Sequence, residues 1–149
     1  MKNFSLFILA SLLFFSCENA AKEKTIEGTW QLVSGTLIEK NDTVVTDYMK
    51  DKKFIKIING DHFAFLSHDL SKGKNADSSF VAGGGRYTLK DSTYTEHLEF
   101  CSDRAWEQND FSFTISMQND TLIQKGIEKV EASGVNRLNI EKYFRLKEK

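Results

Sequence analysis

The chain has 149 residues, with 20 Lys and Arg against 21 Asp and Glu, for a formal net charge of −1. That balance carries no basic excess and excludes a partner recognised by charge alone, nucleic acid above all. The length suits one domain that buries its own core without disulfide staples. Proline is absent and Phe occurs 12 times.

Residues 1–16 begin with a positive charge at Lys2 and continue as an apolar run from Phe4 to Phe15. A bilayer-spanning helix needs about 20 apolar residues. This run is shorter and has the length of the apolar core of a secretory signal. It ends in Leu13-Phe14-Phe15-Ser16-Cys17, which resembles the lipobox of bacterial lipoproteins. The resemblance implies diacylation of the Cys17 thiol, cleavage before it and acylation of the new amino group. Two or more acyl chains make a stable anchor, so membrane contact through Cys17 and a place in the bacterial cell envelope, at the outer membrane, are expected. Residues 17–24 are polar apart from alanines and read as a tether. Residues 25–149 then form the domain. An acylated Cys17 leaves Cys101 with no partner in the chain. Cys101 reads as a small buried hydrophobe, with a reactive thiol or an intermolecular partner as the alternatives.

Period-2 alternation recurs through the domain. The first strand is 28–38, ended by Asn41-Asp42. Strand 53–58 runs into Asn59-Gly60, a strong hairpin signal, and returns as 61–68. A polar loop spans 69–78. Strand 80–89 carries Gly83-Gly84-Gly85, and Lys90-Asp91-Ser92 turns it into 93–100. Residues 102–109 connect to strand 111–117, Gln118-Asn119-Asp120 turns into 121–126, and a polar stretch at 128–139 precedes 140–146. That makes eight strands with no long helix between them. The fold class expected is all-β: an eight-stranded antiparallel up-and-down barrel, because closure removes the exposed edges of a run of hairpins. The triple glycine reads as a corner-turning kink, with an opening toward a ligand as the alternative.

Gly28-Thr29-Trp30 resembles the Gly-x-Trp motif that opens the first strand of lipocalins. In that family an Arg of the last strand lies across the Trp ring. The resemblance implies this structural role for Trp30 with Arg145, and Arg137 is the competing candidate. Gly83-Gly84-Gly85-Arg86-Tyr87 and Tyr94-Thr95-Glu96-His97-Leu98-Glu99 look like segments of small lipocalin-like lipoproteins of Bacteroidetes-type bacteria, a likeness covering residues 25–147. It implies fold and location, not chemistry.

No nucleophile elbow, HExxH or CxxC occurs, so no catalytic residues are assigned and enzymatic activity is not expected. His62 and His68 share a strand face but stand roughly 20 Å apart at about 3.3 Å per residue, too far to share a metal. No metal and no cofactor is expected. Tyr94, Glu96, Leu98 and Phe100 fall on one strand face, the inner one by their apolar character. Glu96 is then a carboxylate that must be paired or have a raised pKa, with Arg86, Arg145, Tyr87 and Tyr94 as candidate partners. Phe63 with Phe65, and Phe111 with Phe113, share faces and either fill the barrel or line a cavity. Trp106 caps one end or makes an exposed contact. Two readings follow. In the first, a lipid-anchored barrel binds a small apolar or amphipathic ligand, with Phe63, Phe65, Tyr87, Tyr94, Phe111 and Phe113 lining the site and Glu96 with Arg86 orienting the polar end. In the second, a solid barrel serves as a protein-interaction module without ligand.

Overall fold

The structure, a computed structural model, describes residues 25–76 and 78–147. The signal sequence, Cys17 and the tether lie outside the described residues.

β1 (Gly28–Glu39) is the strand on which the architecture turns. Its first residues pair with β3 (Lys52–Asn59), Gly28 opposite Ile58 and Gln31 opposite Ile55. Its later residues leave β3 and pair on the same edge with β2 (Asp42–Asp47). Its other edge pairs with β9 (Val135–Arg145), from Trp30 opposite Arg145 to Ile38 opposite Leu138. Between them run β4 (His62–Asp69), β5 (Phe80–Lys90), β6 (Thr93–Cys101), β7 (Asp110–Gln118) and β8 (Thr121–Val130), each antiparallel to its neighbours. The β1–β9 pairing closes eight strands into an antiparallel barrel. β2 is an added ribbon on β1, outside that circuit.

The eight expected barrel strands are therefore all present, and β2 is a ninth strand among the described residues, outside the barrel. Asn41-Asp42 does mark a turn, but the turn closes a hairpin. Lys40 and Asn41 have φ of 49° and 67°, the left-handed pair that a tight hairpin loop requires. β2 gives no alternation to read because Val44 and Val45 are both exposed. The stretch 128–139, read as a polar connection, is the end of β8, a 3₁₀ turn at Glu131–Ser133 and the start of β9.

The two ends of the barrel differ. At one end the hairpins are tight: β3–β4 turns at Gly60 (φ 59°), β5–β6 at Asp91 (φ 54°) and β7–β8 at Asn119 (φ 54°). Ile26, Trp30, Ile58, Phe63, Tyr94 and Leu122 are buried in one apolar cluster. Trp30 is fully buried, and its indole Nε1 donates to the Ile26 carbonyl at 2.8 Å. The Arg145 guanidinium lies over the ring with its carbon 4.1 Å from the centroid, and donates to the Glu27 and Thr25 carbonyls. Gly28, at φ 134°, is required twice over: a Cβ there would stand 2.7 Å from Arg145 Nη1. Arg137 lies at the opposite end, its guanidinium carbon 5.4 Å from the Trp106 ring centroid.

The triple glycine answers a packing need, not a need for positive φ. A Cβ on Gly83 would fall 2.4 Å from Phe65 Cζ, one on Gly84 2.5 Å from the Phe63 carbonyl, and one on Gly85 2.0 Å from the His97 carbonyl. Opposite them β6 bulges. Gly84 pairs with Phe100 and Gly85 with Leu98, leaving Glu99 as the extra residue. The bulge reverses the alternation beyond it. Phe100, expected to share the inner face with Tyr94, Glu96 and Leu98, is instead 66% exposed, and Cys101 turns inward.

Candidate functional site

The other end of the barrel is open. Behind it lies a cavity of about 370 Å³ whose walls come from all eight barrel strands, β5 contributing Val81, with Thr46 of β2, Tyr48 and Trp106 at the rim. The barrel is thus not solid, and its volume falls within the range of small-molecule sites, about 300–1,000 Å³.

Position along the strands decides which aromatics fill and which line. Phe63 and Tyr94 sit on the closed side, buried in the apolar cluster and off the cavity surface. Phe65, Phe111 and Phe113 face the cavity, joined by Phe54, Tyr48 and Tyr143. Phe54 stacks on Phe65 with centroids 5.8 Å apart and meets Tyr48 edge-on at 5.9 Å. The space that admits the Phe65 ring is the missing side chain of Gly83, its cross-strand partner.

Glu96 does reach the cavity, but none of its four candidate partners neutralises it. The partner is Lys56, whose Nζ lies 2.6 Å from Glu96 Oε1 and donates also to Gln124 Oε1 at 3.0 Å. The two side chains are 3% and 8% exposed. Lys56 Nζ also faces the rings of Tyr143, Tyr94 and Phe63 at 5.2–5.9 Å from their centroids. Burial pushes the Glu96 carboxyl above the usual carboxylate range, against the opposing pull of Lys56. Burial and then the Glu96 charge also raise the Tyr94 phenol.

Arg86 does not orient a polar end inside the barrel. It points outward, 66% exposed at its side chain, and its Nε binds Glu99 Oε1 at 2.8 Å. The reason is strand parity: Tyr87, the next residue, turns toward the interior and packs on Tyr94 with centroids 5.1 Å apart. Its hydroxyl donates to the Gly60 carbonyl at 2.7 Å, so Tyr87 sits at the closed end and off the cavity surface. Arg145 is likewise spent at the closed end.

The polar groups of the mouth come from the stretch that reads as a connection in the sequence. Arg137 Nε binds Glu128 Oε2 at 2.7 Å, and Asn139 Nδ2 binds Glu128 Oε1 at 2.7 Å. Glu141 accepts from the Tyr143 hydroxyl at 2.8 Å. Lys56, Gln124, Glu128, Arg137, Asn139 and Glu141 are polar site residues that sequence reasoning misses, as it does the rings of Tyr48, Phe54 and Tyr143. The histidines play no part in the cavity. His62 pairs with Asp61 and His97 with Asp110, both exposed. No cluster of three or more His, Cys, Asp or Glu able to hold a metal occurs among the described residues.

The comparisons with known proteins name no chemistry. No curated protein matches the chain. Among solved structures, it is similar to an uncharacterized protein from Bacteroides eggerthii at 13% identity and a TM-score of 0.46, covering 80% of this chain and 98% of the other. Residues 25–149 match the family described as "Domain of unknown function (DUF4488)", which takes in the whole barrel, and the chain therefore belongs to that family.

Proposed function

We propose that this protein is a lipid-anchored binding barrel of the cell envelope, holding one small amphipathic ligand in its open-ended cavity. The observation that carries the reading is the cavity itself: about 370 Å³, with seven aromatic side chains in its wall beside the buried Lys56–Glu96 pair and Gln124. Ligand sites combine an apolar lining with a few placed polar groups in this way. A barrel evolved only to present its outer surface has no need to leave such a volume unfilled, since a cavity costs stability. The anchor rests on the Leu13-Phe14-Phe15-Ser16-Cys17 sequence.

Native mass spectrometry of the full chain, extracted gently from its host in mild detergent, tests the reading. The expected result is an adduct of small-molecule mass, absent from a Cys101→Trp variant whose indole occupies the cavity. A clean apo mass from several growth conditions would overturn it. The anchor has its own readout: a Cys17→Ser chain should move from the membrane fraction to the soluble fraction.

A further inference from the structure

Two cations and four carboxylates line the cavity: Lys56 and Arg137 against Glu96, Asp103, Glu128 and Glu141. Each cation is spent on a carboxylate within the site, Lys56 on Glu96 at 2.6 Å and Arg137 on Glu128 at 2.7 Å. Asp103, at the rim, accepts from the backbone N–H of Ala105 at 3.1 Å and caps the short 3₁₀ turn. Glu141 is different. Its only hydrogen bond is from the neutral Tyr143 hydroxyl, and no cation lies within ion-pair distance of it among the described residues.

Glu141 also sits among rings. Its cross-strand neighbour on β1 is Gly35, and a Cβ on Gly35 would stand 3.1 Å from Tyr48 Cε2, so the edge of the Tyr48 ring packs where a side chain would otherwise be. Tyr48 meets Phe54 at 5.9 Å and Phe54 meets Tyr143 at 6.4 Å between centroids. Glu141, Tyr48, Phe54 and Tyr143 line one cavity, and the Glu141 charge, after burial, raises the pKa of both tyrosines. An aromatic enclosure around an uncompensated carboxylate is the arrangement that attracts an organic cation, through ring quadrupoles and direct charge together.

We infer that the cavity selects a small organic cation, a substituted ammonium on an apolar body, with the ammonium held between Glu141 and the rings of Tyr48 and Phe54. The apolar body then lies toward Phe65, Phe111 and Phe113. This rests on the proposed ligand-binding reading and narrows it to one charge class. An anion would meet an excess of two negative charges in the lining, and a neutral body would leave Glu141 uncompensated as solvent is displaced.

The test uses the full chain and three probes of similar aromatic body: neutral N-phenyl-1-naphthylamine as a fluorescent reporter, with naphthylmethyl-trimethylammonium and naphthylacetate as competitors. The cation should displace the reporter at a concentration about tenfold below that of the anion, a difference of about 1.4 kcal/mol. Glu141→Gln, which keeps shape and the acceptor for Tyr143, should abolish most of that preference while the reporter still binds. Tyr48→Leu should weaken the cation more than the reporter. Equal competition by cation and anion, or a preference untouched by Glu141→Gln, overturns the charge assignment and leaves the binding barrel standing. Failure of the reporter and both competitors to bind overturns the binding reading and this inference with it.

Discussion

Lys56 and Glu96 meet 2.6 Å apart inside the barrel, although 40 positions separate them in the chain and both face away from solvent. Burying two ions costs several kcal/mol each, and their attraction offsets this only while both are present. Lys56→Met should therefore destabilise the fold by about 3–5 kcal/mol, since it leaves a buried carboxylate alone. Lys56→Met with Glu96→Leu should recover most of the loss. The dependence on pH gives a second check. The Glu96 pKa is already raised in the folded protein by burial, and removing Lys56 raises it further. In the window above the ordinary carboxylate range, the folded state holds a proton the unfolded chain has released, so stability falls as pH rises. Thermal melts should show the gap between the Lys56→Met variant and the parent widening once pH rises past the parent's raised Glu96 pKa, above the ordinary carboxylate range. A gap independent of pH would mean that Glu96 is not the group left unpaired.

Arg145 acts at the other end. Its loss removes a guanidinium from the Trp30 face and two donors from the Glu27 and Thr25 carbonyls. Arg145→Lys should cost about 1–2 kcal/mol, because an ammonium keeps the charge but not the flat stacking or the fork. Because the cavity does not touch Arg145, the affinity for N-phenyl-1-naphthylamine should be unchanged. Urea unfolding read alongside reporter titration separates the two effects.

The glycines make a contrast that a pair of alanine variants can measure. At Gly60 nothing lies within 4 Å of a new Cβ, so Gly60→Ala meets only its φ of 59° and should cost about 1–2 kcal/mol. At Gly85 the φ is ordinary, but a Cβ would overlap the His97 carbonyl at 2.0 Å. Gly85→Ala must therefore push β5 and β6 apart, and should cost more than Gly60→Ala, about 3 kcal/mol. Denaturant midpoints that rank the two the other way would contradict close strand approach as the reason for the triple glycine.

Cys101 lines the cavity, and burial raises its thiol pKa. In a Cys17→Ser chain it is the sole thiol. Its alkylation by iodoacetamide at pH 8 should be slower in the folded protein than in urea, because the thiolate is the reacting form. Saturating N-phenyl-1-naphthylamine should slow it again. Alkylation indifferent to the probe would place the probe elsewhere on the molecule.

What the sequence discloses is uneven, and the physical reason differs from place to place. Asn59-Gly60 and the alternation of β6 and β7 announce themselves because turn chemistry and one-sided burial are local. Gly28 and Trp30 are visible for a different reason, the resemblance of Gly28-Thr29-Trp30 to a known first-strand motif. Lys56 is invisible because β3 carries apolar residues on both faces, Ile57 outside and Ile58 inside. A lysine in such a run reads as the exposed member until Glu96 is known to stand opposite. Glu128, Arg137 and Asn139 are hidden by the opposite logic. They face inward, but toward a cavity, so their polarity mimics that of a loop. The bulge at Glu99 inverts Phe100 through a close approach of two strands that no single segment records.

The path of the chain ends also gives the molecule a direction. Arg145 holds the carbonyls of Thr25 and Glu27, and the N–H of Leu146 donates to the Thr29 carbonyl at 2.8 Å. Both ends of the described chain therefore leave from the sealed pole, and the mouth with Trp106 and Tyr48 is at the far pole. A surface, a bead or a fused protein attached through either end would grip the barrel by its base, with the entrance turned outward and left clear for whatever arrives from solution.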